Sequence, residues 1–210
     1  MQTSHASSVT LLPMKERARP PAVMNVRDVE AAYEALPQGT PAAILDGELR
    51  LLPRPRLAHS RVTSSLGGAL DGPFDRGDGG PGGWIILDEP ELHLGPRPDK
   101  LAPDVAGWRR ERLPELPETA AIALAPDWIC EVLSPGGERI DRIEKARIYA
   151  REGVRHYWII DPAAKTLEVL RNEGGLWLQA SSFAAEAGAA LVRAEPFDAI
   201  ELNLAALFRR

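Results

Sequence analysis

Residues Pro126 to Pro162 read as a buried strand, a tight loop, a helix, a glycine stop and a second buried strand. Trp128 to Leu133 is apolar on both alternating faces, the pattern of a strand covered on both sides. Glu131 breaks that pattern. A carboxylate in such a strand is costly unless a cation or several donors meet it. Ser134-Pro135-Gly136-Gly137 turns the chain. The helix that follows, about Glu138 to Glu152, ends at Gly153, a residue suited to a left-handed C-cap. Within it Asp141, Lys145 and Tyr149 recur at i, i+4 and i+8 and share one face. Val154 to Asp161 is β-branched and aromatic, a second strand. A buried acid on a strand, followed by a lysine on the next helix, is a candidate catalytic pair.

At 210 residues the chain is expected to hold one domain, residues 23–210. Residues 1–22, a mixture of Ser, Pro and basic residues without a sustained period, read as a flexible tail. Hydrophobic content of 44% with 26% charged residues is that of a soluble globular protein. No apolar run approaches the roughly 20 residues that span a bilayer, so no membrane association is expected. The N-terminus lacks the apolar core of a signal peptide. The single cysteine, Cys130, excludes an internal disulfide and is expected on the strand face opposite Glu131. Together these points lead to the expectation of a reducing, cytoplasmic setting. A net charge of −5 argues against a large uniform basic surface. Local clusters remain, with Arg50, Arg54, Arg56 and Arg61 in one segment and Arg109, Arg110 and Arg112 in another. A solvated surface is the simpler reading of each, and the sequence leaves nucleic-acid contact open.

Taken in order, Asn25 is a candidate cap for a helix from about Val26 to Leu36. Ala42 to Leu52 reads as a hairpin around Asp46-Gly47, with Glu48 just past the turn. Leu57 to Leu70 has helical spacing, and Asp71 to Gly83 reads as a loop. Trp84–Leu87 and Glu91–Leu94 suggest a strand pair, Pro96–Leu101 a loop, and Ala102–Trp108 a strand with Asp104 near its start. Arg109 to Ala121 reads as an exposed loop, Thr166–Arg171 with Leu176–Gln179 as a hairpin, Ala189–Val192 as a strand and Phe197–Phe208 as a helix. The order predicts an α/β fold, one mixed central β-sheet flanked by helices.

Four polar residues stand in or beside apolar strands or on the central helix: Glu48, Asp104, Glu131 and Lys145. Carboxylates converging from adjacent strands form a hard-oxygen site suited to Mg²⁺ or Mn²⁺. Such an ion polarises a phosphodiester and lowers the pKa of a bound water, and a lysine adds fixed positive charge. These residue types point to phosphodiester hydrolysis.

The same residues carry a resemblance. Asp46-Gly-Glu-Leu49, His59, Pro103-Asp-Val105, Pro126-Asp-Trp-Ile-Cys-Glu-Val-Leu-Ser134, Lys145, Tyr149-Ala150 and Gly153-Val-Arg-His-Tyr-Trp-Ile-Ile-Asp-Pro162 resemble the Uma-two family. Its members are described as putative restriction endonucleases within the PD-(D/E)XK nuclease superfamily. The resemblance spans about Val26 to Phe208, and the order of several motifs makes it specific. It implies a restriction-endonuclease-like core and metal-dependent cleavage of DNA, with Mg²⁺ as cofactor and Mn²⁺ as substitute. It further implies Asp104, Glu131 and Glu48 as metal-binding acids and Lys145 as the catalytic amine. The superfamily lysine falls two residues after the second acid, where this chain has Leu133; Lys145 stands in from the following helix, as in this family. Folds of this kind often pair to cut two strands, which implies a homodimer.

Each site residue also has a purely structural reading. Glu131 could be neutralised by Arg139 or Arg142, Asp104 could cap a turn, Lys145 could pair with Asp141 along the helix, and Glu48 could be a solvated turn residue. For His59 a surface place at a helix start is expected ahead of contact with the phosphate or the metal, and Asp127 is expected at the strand mouth in a structural place or one that supports the metal-binding acids. A nuclease fold that binds nucleic acid or regulates without cleaving is the functional alternative, prompted by the displaced lysine and the acidic charge. Gly136-Gly137 lacks the spacing of a phosphate loop, Ser134 lacks a G-x-S-x-G setting, and one cysteine excludes a Cys-based zinc site.

Overall fold

The computed structural model describes residues 26–96, 99–185 and 191–209. The expected tail over residues 1–22 and the Asn25 cap lie outside them. The elements begin with α1 (Val26–Glu34), β1 (Ala42–Leu45), β2 (Glu48–Leu51) and α2 (Leu57–Leu70), whose chain continues as a π-helical turn over Asp71–Arg76. Next come β3 (Trp84–Asp88), β4 (Leu92–Leu94), β5 (Asp99–Leu101), β6 (Val105–Arg109) and β7 (Trp128–Val132). A π-helical segment, Ile140–Lys145, runs into α3 (Ala146–Arg151) and is followed by β8 (His156–Asp161). The chain closes with β9 (Thr166–Glu173), β10 (Leu176–Ala184), β11 (Leu191–Val192), β12 (Leu202–Asn203) and α4 (Leu204–Leu207).

The strand–helix–strand unit is the centre of the fold. All of β7 is buried, and β7 pairs in parallel with β8, an arrangement that requires a crossover, which the helix between them supplies across the sheet face. These two strands sit in the middle of a six-stranded mixed sheet ordered β10-β9-β8-β7-β6-β3, and its other pairings are antiparallel. One face carries Trp128, Cys130 and Val132 against Trp84, Trp158, Phe74 and Phe197, covered by α2, its π-helical extension and α4. The other face carries Ile129 and Leu133 with Ala106, Trp108, Tyr149 and Tyr157. Cys130 therefore lies opposite Glu131, buried among apolar side chains on its own face.

The chain builds more than one sheet. The strand at Leu92–Leu94 does not pair with β3; it pairs with β5, and the antiparallel order β2-β1-β5-β4 forms a second sheet whose apolar side chains pack on the Ile129 face. Residues read as a loop thus supply β5, whose Asp99 and Lys100 are buried. Lys100 lies over the Tyr33 ring, 5.6 Å from its centroid, with Glu30 and Glu34 at 3.8 and 3.9 Å. Asp99 accepts from the Asp46 backbone N–H and pairs with Arg151. Compensated charges let a short polar segment act as an interior strand. At the C-terminus the expected long helix is reduced to α4, because Asn203 caps it by accepting from the Ala206 N–H and the residues before it pair as β12 with β11. No helix among the described residues is long and apolar enough to cross a membrane.

Gly107 on β6 shows how tightly the first face is filled. A Cβ there would lie 3.2 Å from ring atoms of both Trp84 and Trp128. Gly107→Val should therefore lower unfolding stability by about 1–3 kcal/mol through overpacking, read as a lower urea midpoint at unchanged slope. A midpoint equal to wild type would show that the indoles are free to move aside.

Candidate active site

Asp104 lies one residue before β6. The register pairs Val105 with Cys130, so the next position outward faces Glu131 on β7. Asp104 Oδ2 accepts from the Val132 N–H at 2.6 Å, which ties the acid to the adjacent strand's backbone. Its Oδ1 lies 2.9 Å from His59 Nε2. His59 is not at the surface, as its place at a helix start suggested; it is buried in the first turns of α2, and its Nδ1 is buried without a protein partner. The signal was present in the sequence: His59, Val62, Thr63, Leu66 and Leu70 form the buried stripe of α2 at helical spacing.

Glu131 is 1% exposed. Neither Arg139 nor Arg142 neutralises it, since these pair with Glu144 and Glu168. Its Oε1 instead accepts from Lys145 Nζ at 2.9 Å and from the Tyr149 hydroxyl at 2.6 Å. Lys145 also reaches Asp141 Oδ1 at 3.1 Å. The face shared by Asp141, Lys145 and Tyr149 thus turns inward onto β7. The wide π-helical turn that ends at Lys145 is a geometry often found at functional sites.

Asp104, Glu131, Asp141, Lys145, His59 and Ser134 all line one cleft of about 460 Å³, walled on its other side by residues around the β1–β2 hairpin. The Ser134 hydroxyl is, like His59 Nδ1, buried without a protein partner. Glu48 is not part of this cluster. Its side chain is 65% exposed and pairs with Arg50 at 2.6 Å. Asp127 is also elsewhere, accepting from the Arg109 N–H and pairing with Arg112 at 2.8 Å, a structural place.

The electrostatics follow from three carboxylates set against one ammonium in a buried cleft. Burial is the largest influence on Glu131 and raises its pKa; Lys145 pulls it down, repulsion from Asp141 and Asp104 adds to the rise, and the group titrates at about 8. Asp141 is raised by burial in the same way, with Lys145 opposing. Burial alone would lower Lys145, but attraction from Glu131 and Asp141 outweighs it and the ammonium is held above its ordinary range. Lys145 is a fixed cation, and Glu131 is the titrating member. The surplus of negative charge suits a divalent ion. Asp104 and Glu131 would be its side-chain ligands, and a small ion that keeps most of its waters needs few of them. Among the described residues no group of three His, Cys, Asp or Glu side chains forms a ready ligand set.

Glu131 holds its proton more tightly in the folded chain than at its ordinary value of 4.5. Stability from this group is complete below about pH 4.5 and is lost as pH rises through about 8. With EDTA present, the urea midpoint of wild type should fall across that window, and Glu131→Gln should flatten the fall. An equally steep profile in the variant would assign the dependence to other groups.

Comparison with known proteins fits this geometry. The family model Uma2, described as "Putative restriction endonuclease", matches residues 30–205. No curated protein sequence matches. Among solved structures, one titled a putative nuclease belonging to DUF820, from Anabaena variabilis ATCC 29413, is similar with a TM-score of 0.65. It is 22% identical, and the alignment covers 84% of this chain and 94% of that one, so the likeness is one of fold. With most of its length matched, the chain belongs to the Uma2 (Uma-two) family.

Proposed function

We propose that the protein is a divalent-metal-dependent DNA endonuclease centred on Asp104, Glu131 and Lys145. One observation carries the proposal: a lysine from the helix after β7 reaches the buried acid of β7 at 2.9 Å, beside a second acid on the neighbouring strand. Family membership supports the nuclease class. Mg²⁺, or Mn²⁺ in its place, would be held by Asp104 and Glu131, where it would polarise the phosphodiester and acidify a bound water. Glu48, exposed and paired with Arg50, has no ligand role in this reading.

The chain's own groups do the rest. The Val132 N–H and His59 fix the orientation of Asp104 from two sides. Tyr149 fixes Glu131 by donating to the same oxygen that receives Lys145. Lys145, constrained by Glu131 and Asp141, presents a permanent positive charge at the cleft wall, where an attacking water and a crowded phosphate would gather negative charge. Because these groups are set before substrate arrives, little reorganisation accompanies the reaction.

A plasmid-nicking assay with EDTA, Mg²⁺ and Mn²⁺ in parallel tests the proposal. Wild type should nick only with metal, and Asp104→Asn, Glu131→Gln and Lys145→Met, each confirmed folded by circular dichroism, should lose about 100-fold or more of the rate. Metal-dependent nicking retained in a pure Glu131→Gln protein would sink the assignment. Wild type that binds duplex without nicking it would favour the non-cleaving nuclease-fold reading.

A further inference from the structure

The described cations of this acidic protein are mostly neutralised in place. Arg50, Arg76, Lys100, Arg110, Arg112, Arg139, Arg142, Lys145, Arg147, Arg151, Arg155, Arg171 and Arg193 each lie within ion-pair distance of a carboxylate. Of the rest, Arg27 is exposed on α1 and Arg109 stacks over Trp84. The remaining described cations, Arg54, Arg56, Arg61, Lys165 and Arg209, are exposed and have no carboxylate partner among the described residues, and three of them line one groove. Arg61, Lys165 and Arg209 line a groove of about 570 Å³ that has no acidic residue in its wall. Arg56 is the N-cap of α2, next to Leu57 at the groove's edge. Arg54 lies between Pro53 and Pro55, which line the catalytic cleft.

We infer that this groove and the Arg54–Arg56 loop form a track for the phosphate backbone of duplex DNA, leading along α2 into the cleft. The inference rests on the nuclease reading for the identity of the ligand. Leaving like charges together without counter-charges is unfavourable in the free protein, and a polyanion that neutralises them releases its own counterions on binding. The first turn of α2 adds to the field, since it contains no acidic residue and no side chain caps its N–H groups. Arg61 Nε donates to the Arg209 carbonyl at 3.3 Å, which holds two members of the track together. Leu57, 90% exposed beside Pro162 and Phe208, offers an apolar contact for sugars between the phosphates. His59, on the same helix, reaches Asp104, so a backbone lying on the track is led to the acids. The contrast is the cavity beside β10, where Arg171 and Arg193 share the wall with Glu195 and Asp198.

The test is anisotropy of a short labelled DNA duplex with full-length protein in EDTA, over a range of salt, beside plasmid nicking by the same preparations. Arg61→Ala/Lys165→Ala should weaken duplex binding about tenfold or more and make the salt slope shallower by about 2. Arg171→Ala/Arg193→Ala removes the same two charges from the mixed cavity and should leave binding within about twofold. Equal weakening by both pairs, or none by the first, overturns the track. So does wild type that binds phosphatidylserine vesicles but not the duplex. The two readings separate cleanly. Nicking by wild type with binding unaffected in Arg61→Ala/Lys165→Ala removes the track alone. Binding lost in that variant, with no metal-dependent nicking by wild type, keeps the track and removes the nuclease.

Discussion

The pair formed by Glu131 and Lys145 governs much of the architecture. An acid in the middle of a strand covered on both faces is destabilising unless it is met by donors, and the donors must come from a layer lying on that face. Lys145 and Tyr149 meet that demand only if the segment from Ile140 to Arg151 docks against β7 with one face inward. Docking in turn needs a neighbour to receive the chain, which is the parallel strand β8, and an apolar bed, which Ile129, Tyr157 and Ile159 help supply. Position, pairing and layer order thus follow from accommodating one carboxylate. Removing the lysine while leaving the acid is the damaging change, as burial then has nothing to offset it.

The position of Lys145 on the helix, and not on the strand of Glu131, has a structural explanation. Two residues after Glu131 the chain has Leu133, which is buried in the core on the helix side of the sheet. A lysine at that point would have to share the space with apolar side chains. From the helix, Lys145 enters above the same acid with its stem along the packed layer and its ammonium between Glu131 and Asp141. An ammonium thus reaches the acid from the helix and not from its own strand.

Much of the centre was legible from local pattern. The uninterrupted apolar strand, the glycine stop and the spacing of Asp141, Lys145 and Tyr149 specify β7, the helix and β8, since each signal is short-range and the elements are sequential. The Asp46-Gly47 turn was equally legible, because both residues adopt positive φ (50° and 78°), as a tight hairpin turn requires. What escaped depends on distant partners. Asp99 and Lys100 read as loop because their compensating groups, Arg151, Tyr33 and Glu30, lie far away in sequence. His59 read as surface for the same reason, its partner Asp104 arriving only when α2 packs beside β7. Glu48 had the right setting in sequence, flanked by apolar residues, but it sits on a strand of the second sheet with its side chain out in solvent.

The network around Asp46 joins parts that the cleft keeps apart. Asp46, in the turn between β1 and β2, pairs with both Arg147 and Arg151 on α3, and Arg151 also holds Asp99 of β5. The hairpin leading into one wall of the cleft is thereby clamped to the helix that continues from Lys145. The second sheet and a helix are cross-braced at two points on the side remote from α2, much as a hinge is pinned shut along one edge. Any breathing of the cleft is left to its other edge, the proline-rich lip between β2 and α2.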